Sequence, residues 1–429
     1  MARLIHILRR LFKFALWIFI LLLLLGGSSM RPASESDRVR VFTRSIEFDY
    51  VSWIVNAIAV KIDQSALGTS SYLPETSRHQ EVVKYLKLVA QIQQAEGQLN
   101  EIYADPHVKD PQTASVAVRQ QLAGLRKQRD FLAPLAEGIL QSQVSSVAAE
   151  LGLTVGGQPI PPVLYHATPL PMALIVSPRN TIRQDEDISL LPGITVDQQA
   201  ELESKVDRAL NVSSLVVPVG GIGVYPTMVM QTTDLNWLAE VVSHEWTHNF
   251  LTIRPLGMSY ENTPELRVMN ETTASIAGKE IGSLVIREYY PELVPPPLQP
   301  DAPAASKPGQ PQPPQPPPFD FRAEMHITRL AVDKLLAEGK IDEAERYMEQ
   351  RRQFFWDHGY HIRKLNQAYF AFYGAYADQP GGAAGVDPVG AAVRALRAQS
   401  KSLADFLYRI SWFSSFSQLE QAVQANGAK

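Results

Sequence analysis

The chain has 429 residues, of which 45% are hydrophobic, and its formal net charge is −4. This length is enough for roughly two or three domains, and the small net charge argues against a nucleic-acid partner. The sequence contains no cysteine, which excludes disulfides, thiolate metal ligands and a cysteine nucleophile. Any metal ion must therefore be held by His, Asp or Glu side chains.

Residues 1–30 have the composition of an export segment. Basic residues are followed by an apolar run over residues 14–25, and no charge occurs from Phe14 to Met30. The run predicts either a signal anchor that spans the bilayer or a cleaved signal peptide, and the lack of an Ala-x-Ala site favours the anchor. We therefore expect a membrane-anchored protein outside the cytoplasm, or a secreted one if the segment is removed.

Residues 31–155 are predicted to form a helical region. Residues 31–45 are polar and predict a short stalk, and residues 46–68 predict a helix. Apolar residues recur at helical spacing over 78–104 and again over 114–152, which predicts an antiparallel helical hairpin. The hairpin is either a spacer or a subdomain packed on the rest of the chain, and the absence of clean heptads favours packing.

The next region mixes strand-like and helical patterns. Apolar runs at 172–176, 215–219 and 227–230 predict a small sheet, with a helix at 196–210. Residues 220–223 are rich in glycine and have two interpretations. They form either a plain turn or an edge strand beside a cleft, to which a peptide substrate adds as a further strand.

The strongest functional signal is His-Glu-x-x-His at residues 244–248. On a helix, His244 and His248 lie one turn apart on one face, where they can hold one Zn²⁺. Glu245 points to the neighbouring side of the same turn, from which it can take a proton from a water molecule at the metal.

A zinc enzyme of this kind needs a third protein ligand. No His or Asp occurs from Asn249 to Glu292, so only glutamates remain. Glu271 falls early in a helix predicted at 265–287, whose small residues allow close packing against the motif helix. We predict Glu271 as the third ligand, with Glu280 as the alternative.

This pattern resembles the gluzincin metallopeptidases, which include the thermolysin-like enzymes. Their His-Glu-x-x-His is followed by Asn-Glu on a second helix, and the present chain has Asn270-Glu271. The resemblance covers roughly residues 215–285 and implies a zincin-like fold, one zinc ion and a peptide or protein substrate. Tyr260 lies where thermolysin-like enzymes carry a tyrosine that stabilises the oxyanion. The Gly-x-Met-Glu-Asn motif of one aminopeptidase family is absent, so the resemblance leaves endopeptidase and aminopeptidase action open.

The C-terminal part is predicted to be helical. Residues 291–319 are rich in proline and predict a linker or loop. Helices are predicted at 320–338, 341–357 and 361–377, followed by three short helices at 387–399, 402–410 and 415–425. A second oxyanion donor is expected from this part, and its candidates are His326, His358, His361, Tyr369 and Tyr373.

Together these patterns predict a mostly helical α+β fold. The expected parts are an N-terminal segment (1–30), a helical hairpin region (31–155), a zincin-like catalytic domain made of a small sheet and the His-Glu-x-x-His helix (156–290), a proline-rich linker (291–319) and a helical C-terminal domain (320–429). The predicted function is zinc-dependent peptide hydrolysis with Glu245 as general base. The alternatives are a membrane-tethered zincin-fold protein that binds metal or peptide without turnover, and a structural protein in which the motif is incidental.

Overall fold

A computed structural model describes residues 13–14, 16–18, 34–67, 72–104, 108–296, 319–376 and 382–427. These residues form a mostly helical α+β protein, as predicted. The helices are α1 (Glu35–Thr43), α2 (Tyr50–Leu67), α3 (Glu75–Ala104), α4 (Pro111–Ala114), α5 (Val116–Glu150), α6 (Val196–Leu210), α7 (Leu235–Thr252), α8 (Pro255–Met258), α9 (Pro264–Tyr289), α10 (Phe321–Ala337), α11 (Ile341–Asp357), α12 (Gln367–Tyr373), α13 (Pro388–Gln399), α14 (Leu403–Ile410) and α15 (Phe416–Gly427). The strands are β1 (Tyr165–Ala167), β2 (Met172–Pro178), β3 (Glu186–Leu190), β4 (Val212–Pro218), β5 (Gly221–Ile222) and β6 (Thr227–Val229).

The expected membrane anchoring is contradicted by the part of the chain that the structure describes. Within those residues no helix is both long enough and apolar enough to cross a bilayer. The longest described helices, α3 and α5, carry charged side chains along their length. Most of residues 1–30, on which the anchor prediction rests, lie outside the described residues.

The predicted stalk at 31–45 is wrong, because most of this stretch is helix α1. Ser34 and Asp37 form a reciprocal capping box at its start, which satisfies two backbone N–H groups that would otherwise lack partners. Val39 and Thr43 are fully buried, and Val39 packs into the apolar cluster behind β2, β3 and β4. The composition of residues 31–45 did not predict the helix, because only a few apolar residues form its buried face.

The helical hairpin is present, with α3 and α5 packed side by side. Their antiparallel register is set by Gln143, whose Nε2 donates to Glu75 Oε1 at 2.7 Å, and by Arg126, whose Nη2 lies 2.7 Å from Glu96 Oε1. The apolar side chains between them belong to one cluster that continues into α7, α9, α13 and α14. The hairpin therefore packs directly behind the helix that carries the His-Glu-x-x-His motif.

The described strands form two three-stranded sheets rather than one. The first has the order β3-β2-β4 and is antiparallel; the second has the order β1-β6-β5, with β1 and β6 parallel. Strand β3 was not predicted because Glu186 and Asp187 interrupt its apolar pattern. Gly221 and Ile222 form an edge strand, as one of the two interpretations of the glycine-rich stretch expected.

The C-terminal helices follow the prediction closely except for α12. It spans Gln367–Tyr373 rather than 361–377, because Arg363 pairs with Glu203 on α6 at 2.5 Å and holds the preceding chain out of a helix. Asn366 then caps α12 by accepting the Tyr369 backbone N–H at 3.0 Å. Helix α12 packs on β2 and β4, which brings the aromatic residues around its end toward the motif helix. Residues 297–318 of the proline-rich segment lie outside the described residues.

Candidate metal centre

Helix α7 borders a large cleft and is held by contacts at its first turn and at Trp246. Asp234 caps its first turn by accepting the Trp237 backbone N–H at 3.1 Å. Trp246 is 2% exposed, and its Nε1 donates to the Pro161 carbonyl at 2.8 Å. These contacts set the rotation of the helix, so that its polar face, with His244, Glu245 and His248, borders the cleft.

Helix α9 packs on α7 unusually closely, and two glycines permit the approach. A Cβ atom at Gly278 would lie 2.9 Å from both the Glu240 carbonyl oxygen and His244 Cβ, and one at Gly282 would lie 2.7 Å from the Glu240 nitrogen. Any larger residue would push the two helices apart. The small residues that predicted close packing therefore lie at the point of contact.

This packing brings the three predicted metal ligands together. The Nε2 atoms of His244 and His248 are 3.0 Å apart. The Oε2 atom of Glu271 lies 3.7 Å from His244 Nε2 and 3.5 Å from His248 Nε2. Glu280, the alternative ligand, instead makes two hydrogen bonds to Arg397 on α13 at 2.7 and 2.8 Å.

The three atoms fit a shared zinc ion. Donor atoms that hold a tetrahedral zinc at about 2.0–2.1 Å lie roughly 3.3 Å from one another, and the separations here are 3.0, 3.5 and 3.7 Å. Glu271 Oε2 is buried and has no hydrogen-bond partner, which is costly for a carboxylate oxygen unless a cation is present. Two imidazoles and one carboxylate are also a donor set that suits zinc.

The charges of these groups are strongly coupled. Burial opposes ionisation of Glu271, but His248 and His244 outweigh burial and hold the pKa of Glu271 well below its usual range. Burial likewise disfavours a charged His248, but the Glu271 and Glu245 carboxylates raise the pKa of His248 to about 9. The site thus attracts positive charge, which is supplied either by a proton or by a metal ion.

Two neighbouring side chains orient the ligands. Asn270 is 2% exposed, and its Oδ1 lies 2.8 Å from His248 Nδ1. Accepting this hydrogen bond places the proton on Nδ1 and leaves the Nε2 lone pair for a metal. Tyr260 donates its hydroxyl to Glu271 Oε1. The hydroxyl of Tyr260 therefore contacts the predicted ligand, and its role as an oxyanion donor stays a prediction.

Glu245, the predicted general base, is buried next to the two histidines. It is 6% exposed, and burial raises its pKa although His244 and His248 oppose the rise. Strand β5 crosses directly above it: a Cβ atom at Gly221 would lie 2.6 Å from Glu245 Oε1, and one at Gly223 would lie 3.4 Å from Oε2. Glycine is thus required where the strand passes over the carboxylate.

Tyr376 is a site residue that the sequence did not single out. Its ring centroid lies 6.3 Å from that of His244, and the residue lines the cleft. Burial raises its pKa well above its usual range, and the Glu271 charge adds to the rise, so the phenol keeps its proton. The signal was present, because Tyr376 continues the spacing of Tyr369 and Tyr373 by three residues.

The other candidate donors divide into two groups. Tyr369 and Tyr373 also line the cleft. His326 on α10 does not border the cleft. His358 stacks on Phe319 with ring centroids 4.2 Å apart, and His361 lies against Trp356 with centroids 4.1 Å apart; neither borders the cleft.

The cleft itself has a volume of about 2090 Å³. Sites for small ligands usually occupy about 300–1,000 Å³, so this one has room for an extended chain.

Comparison with known proteins gives no relative: no family model matches the chain, and neither a curated protein nor a solved structure is significantly similar to it.

Proposed function

We propose that this protein is a zinc-dependent peptidase with a His₂Glu site of zincin type. The observation that carries the proposal is the convergence of His244, His248 and the unpartnered Glu271 oxygen beside a buried Glu245. The surrounding arrangement supports it. Helix α7 lies between a small sheet, whose edge strand is β5, and the closely packed α9.

In this proposal His244, His248 and Glu271 hold the metal, which when bound would polarise a peptide carbonyl and acidify a water molecule. Glu245 accepts a proton at its carboxylate and later delivers it to the leaving nitrogen. Burial raises the pKa of Glu245 above its ordinary value, which makes the protonated form more available as the donor in the second step. Asn270 keeps His248 in the tautomer that binds metal through Nε2.

Tyr376 supplies the donor for the carbonyl oxygen. Its phenol remains protonated at neutral pH and faces the cleft on the His244 side. A hydrogen-bond donor fixed next to developing negative charge is worth several kcal/mol in a site that excludes water. Tyr260 belongs to the support of Glu271, which its hydroxyl contacts.

The proposed substrate is a peptide bound in extended form. The large cleft volume supports this, and so does the edge strand β5, which crosses above Glu245. Edge strands offer backbone groups to which a peptide can add as a further strand. The buried, intact base favours turnover over a role that is limited to binding metal or peptide.

The test is hydrolysis of a mixed peptide library by zinc-loaded protein, with Glu245→Gln as the variant and Glu280→Gln as the matched control. We expect the wild type and Glu280→Gln to cleave peptides, and Glu245→Gln to lose at least about 100-fold in rate because the general base is gone. Equal hydrolysis by Glu245→Gln would refute the proposed role of Glu245.

A further inference from the structure

Arg267 lies one helical turn before Glu271 on α9, so the two side chains leave the same face. It borders the cleft, yet its Nε atom is inaccessible to solvent and has no hydrogen-bond partner. A guanidinium enclosed in this way is costly unless its surroundings compensate the charge. The carboxylates that do so are Asp187 on β3 and Glu271.

One side of the guanidinium caps helix α12. Arg267 Nη1 donates to the Ala371 carbonyl at 3.1 Å. This carbonyl lies in the last turn of α12, where its neighbours Phe370 and Phe372 accept the backbone N–H groups of Gly374 and Ala375. A cation at a helix C-terminus satisfies a carbonyl that lacks a helical partner and opposes the negative end of the helix dipole.

The other side of the guanidinium reaches the metal ligands. Its charge interacts with the Tyr260 phenol and the Glu271 carboxylate, and the Tyr260 hydroxyl donates to Glu271 Oε1. Arg267 therefore donates a hydrogen bond to the end of α12 and interacts electrostatically with the support of Glu271. Tyr376 follows the capped carbonyl by five residues, and its ring lies next to His244.

From these contacts we infer that Arg267 is a positioning residue, which fixes Glu271 and Tyr376 relative to each other by bracing Tyr260 on one side and the C-terminus of α12 on the other. The inference rests on the proposed function for its kinetic consequence. Its structural part, the cap and the brace, stands independently of peptide hydrolysis. Tyr376 follows α12 and Glu271 lies on α9, so a link between these two helices is needed to keep the spacing of the two side chains constant.

The test compares Arg267→Met and Arg267→Lys in the full chain, with Arg397→Met as the matched control. Arg397 also clamps α9 to a C-terminal helix, through Glu280, but does not border the cleft. For Arg267→Met we expect kcat to fall about 100-fold with little change in KM, because a misplaced catalytic group costs rate rather than binding. We expect zinc content to stay at wild-type level and amide hydrogen exchange to rise at residues 371–376.

Arg267→Lys keeps the charge but lacks the planar guanidinium, so we expect an intermediate loss of kcat. Arg397→Met is expected to keep wild-type kcat and wild-type exchange at residues 371–376. Equal rates of amide hydrogen exchange at residues 371–376 in Arg267→Met and the wild type would refute the claim that Arg267 caps α12. Increased exchange with an unchanged kcat would overturn the positioning role.

Failure of the proposed function is distinguishable from failure of this inference. If the wild type hydrolyses no peptide, amide hydrogen exchange at residues 371–376 still tests whether Arg267 stabilises the end of α12. The visible spectrum of the cobalt-substituted protein tests whether Arg267 affects Glu271. A spectral shift in Arg267→Met, absent in Arg397→Met, would support an effect on Glu271. An unchanged spectrum would overturn it.

Discussion

Replacing Asn270 by alanine is expected to weaken zinc binding although Asn270 is not a predicted ligand. Its Oδ1 accepts from His248 Nδ1 at 2.8 Å, and the side chain is 2% exposed, so water cannot easily replace it. Without this acceptor the His248 N–H is left unsatisfied, at a cost of about 1–3 kcal/mol, and the tautomer that binds zinc through Nε2 loses its advantage. Loss of such an outer contact typically lowers metal affinity by about 10–100-fold.

The assay is competition for zinc against a chromophoric chelator at neutral pH, with the affinity of each variant compared with that of the wild type. Asn249→Ala is the matched control. Asn249 is likewise a buried amide but lies on α7, where its Nδ2 donates to Thr227 Oγ1 on β6 at 2.9 Å and the side chain does not support a histidine. The reasoning is refuted if Asn270→Ala binds zinc within about twofold of the wild type, or if Asn249→Ala loses as much affinity.

Three further predictions concern the proposed general base Glu245, the proposed oxyanion donor Tyr376 and the ion pair that joins α2 to α5. Gly221→Ala places a Cβ atom 2.6 Å from Glu245 Oε1, so we expect peptide hydrolysis to fall while bound zinc is retained; unchanged kcat would contradict the close approach. Tyr376→Phe is expected to lower kcat by about 100-fold through loss of one oxyanion donor, and an unaffected kcat would remove Tyr376 from the mechanism. Lys61 and Glu137 form a buried ion pair at 2.5 Å, and Lys61 together with His166 lowers the pKa of Glu137 below its ordinary value of about 4.5 although burial opposes this. The free energy of unfolding of the wild type, measured with urea, should therefore fall as pH drops below about 4.5. Glu137→Gln should be less stable at pH 7 by about 3–5 kcal/mol, and its stability should fall less over the same pH range. Parallel pH profiles of the two proteins would contradict the contribution of the ion pair.

Much of the candidate site was predictable because it is encoded locally. The spacing of His244 and His248 requires only a helix, and a run of small residues after Glu271 indicates which face of the second helix is packed. The long helices of the hairpin and the first two C-terminal helices were predicted for the same reason, since each carries a continuous apolar face.

The features that escaped prediction depend on contacts between distant segments. Helix α1 is short and is held by its cap and by packing of Val39 behind the first sheet. The start of α12 depends on Arg363 pairing with Glu203, 160 residues away in sequence. The spacing groups Tyr376 with Tyr369 and Tyr373, but Tyr376 becomes a site residue only because α12 packs on β2 and β4.

The zinc content of the purified full-length protein tests the central claim most directly. After dialysis against metal-free buffer, elemental analysis is expected to find one zinc per chain in the wild type and in Glu280→Gln, whose carboxylate pairs with Arg397 away from the site. Glu271→Gln is expected to retain much less, since it loses one ligand of three. A wild type without stoichiometric zinc, or a Glu271→Gln variant that binds zinc as tightly as the wild type, would contradict the proposed metal centre.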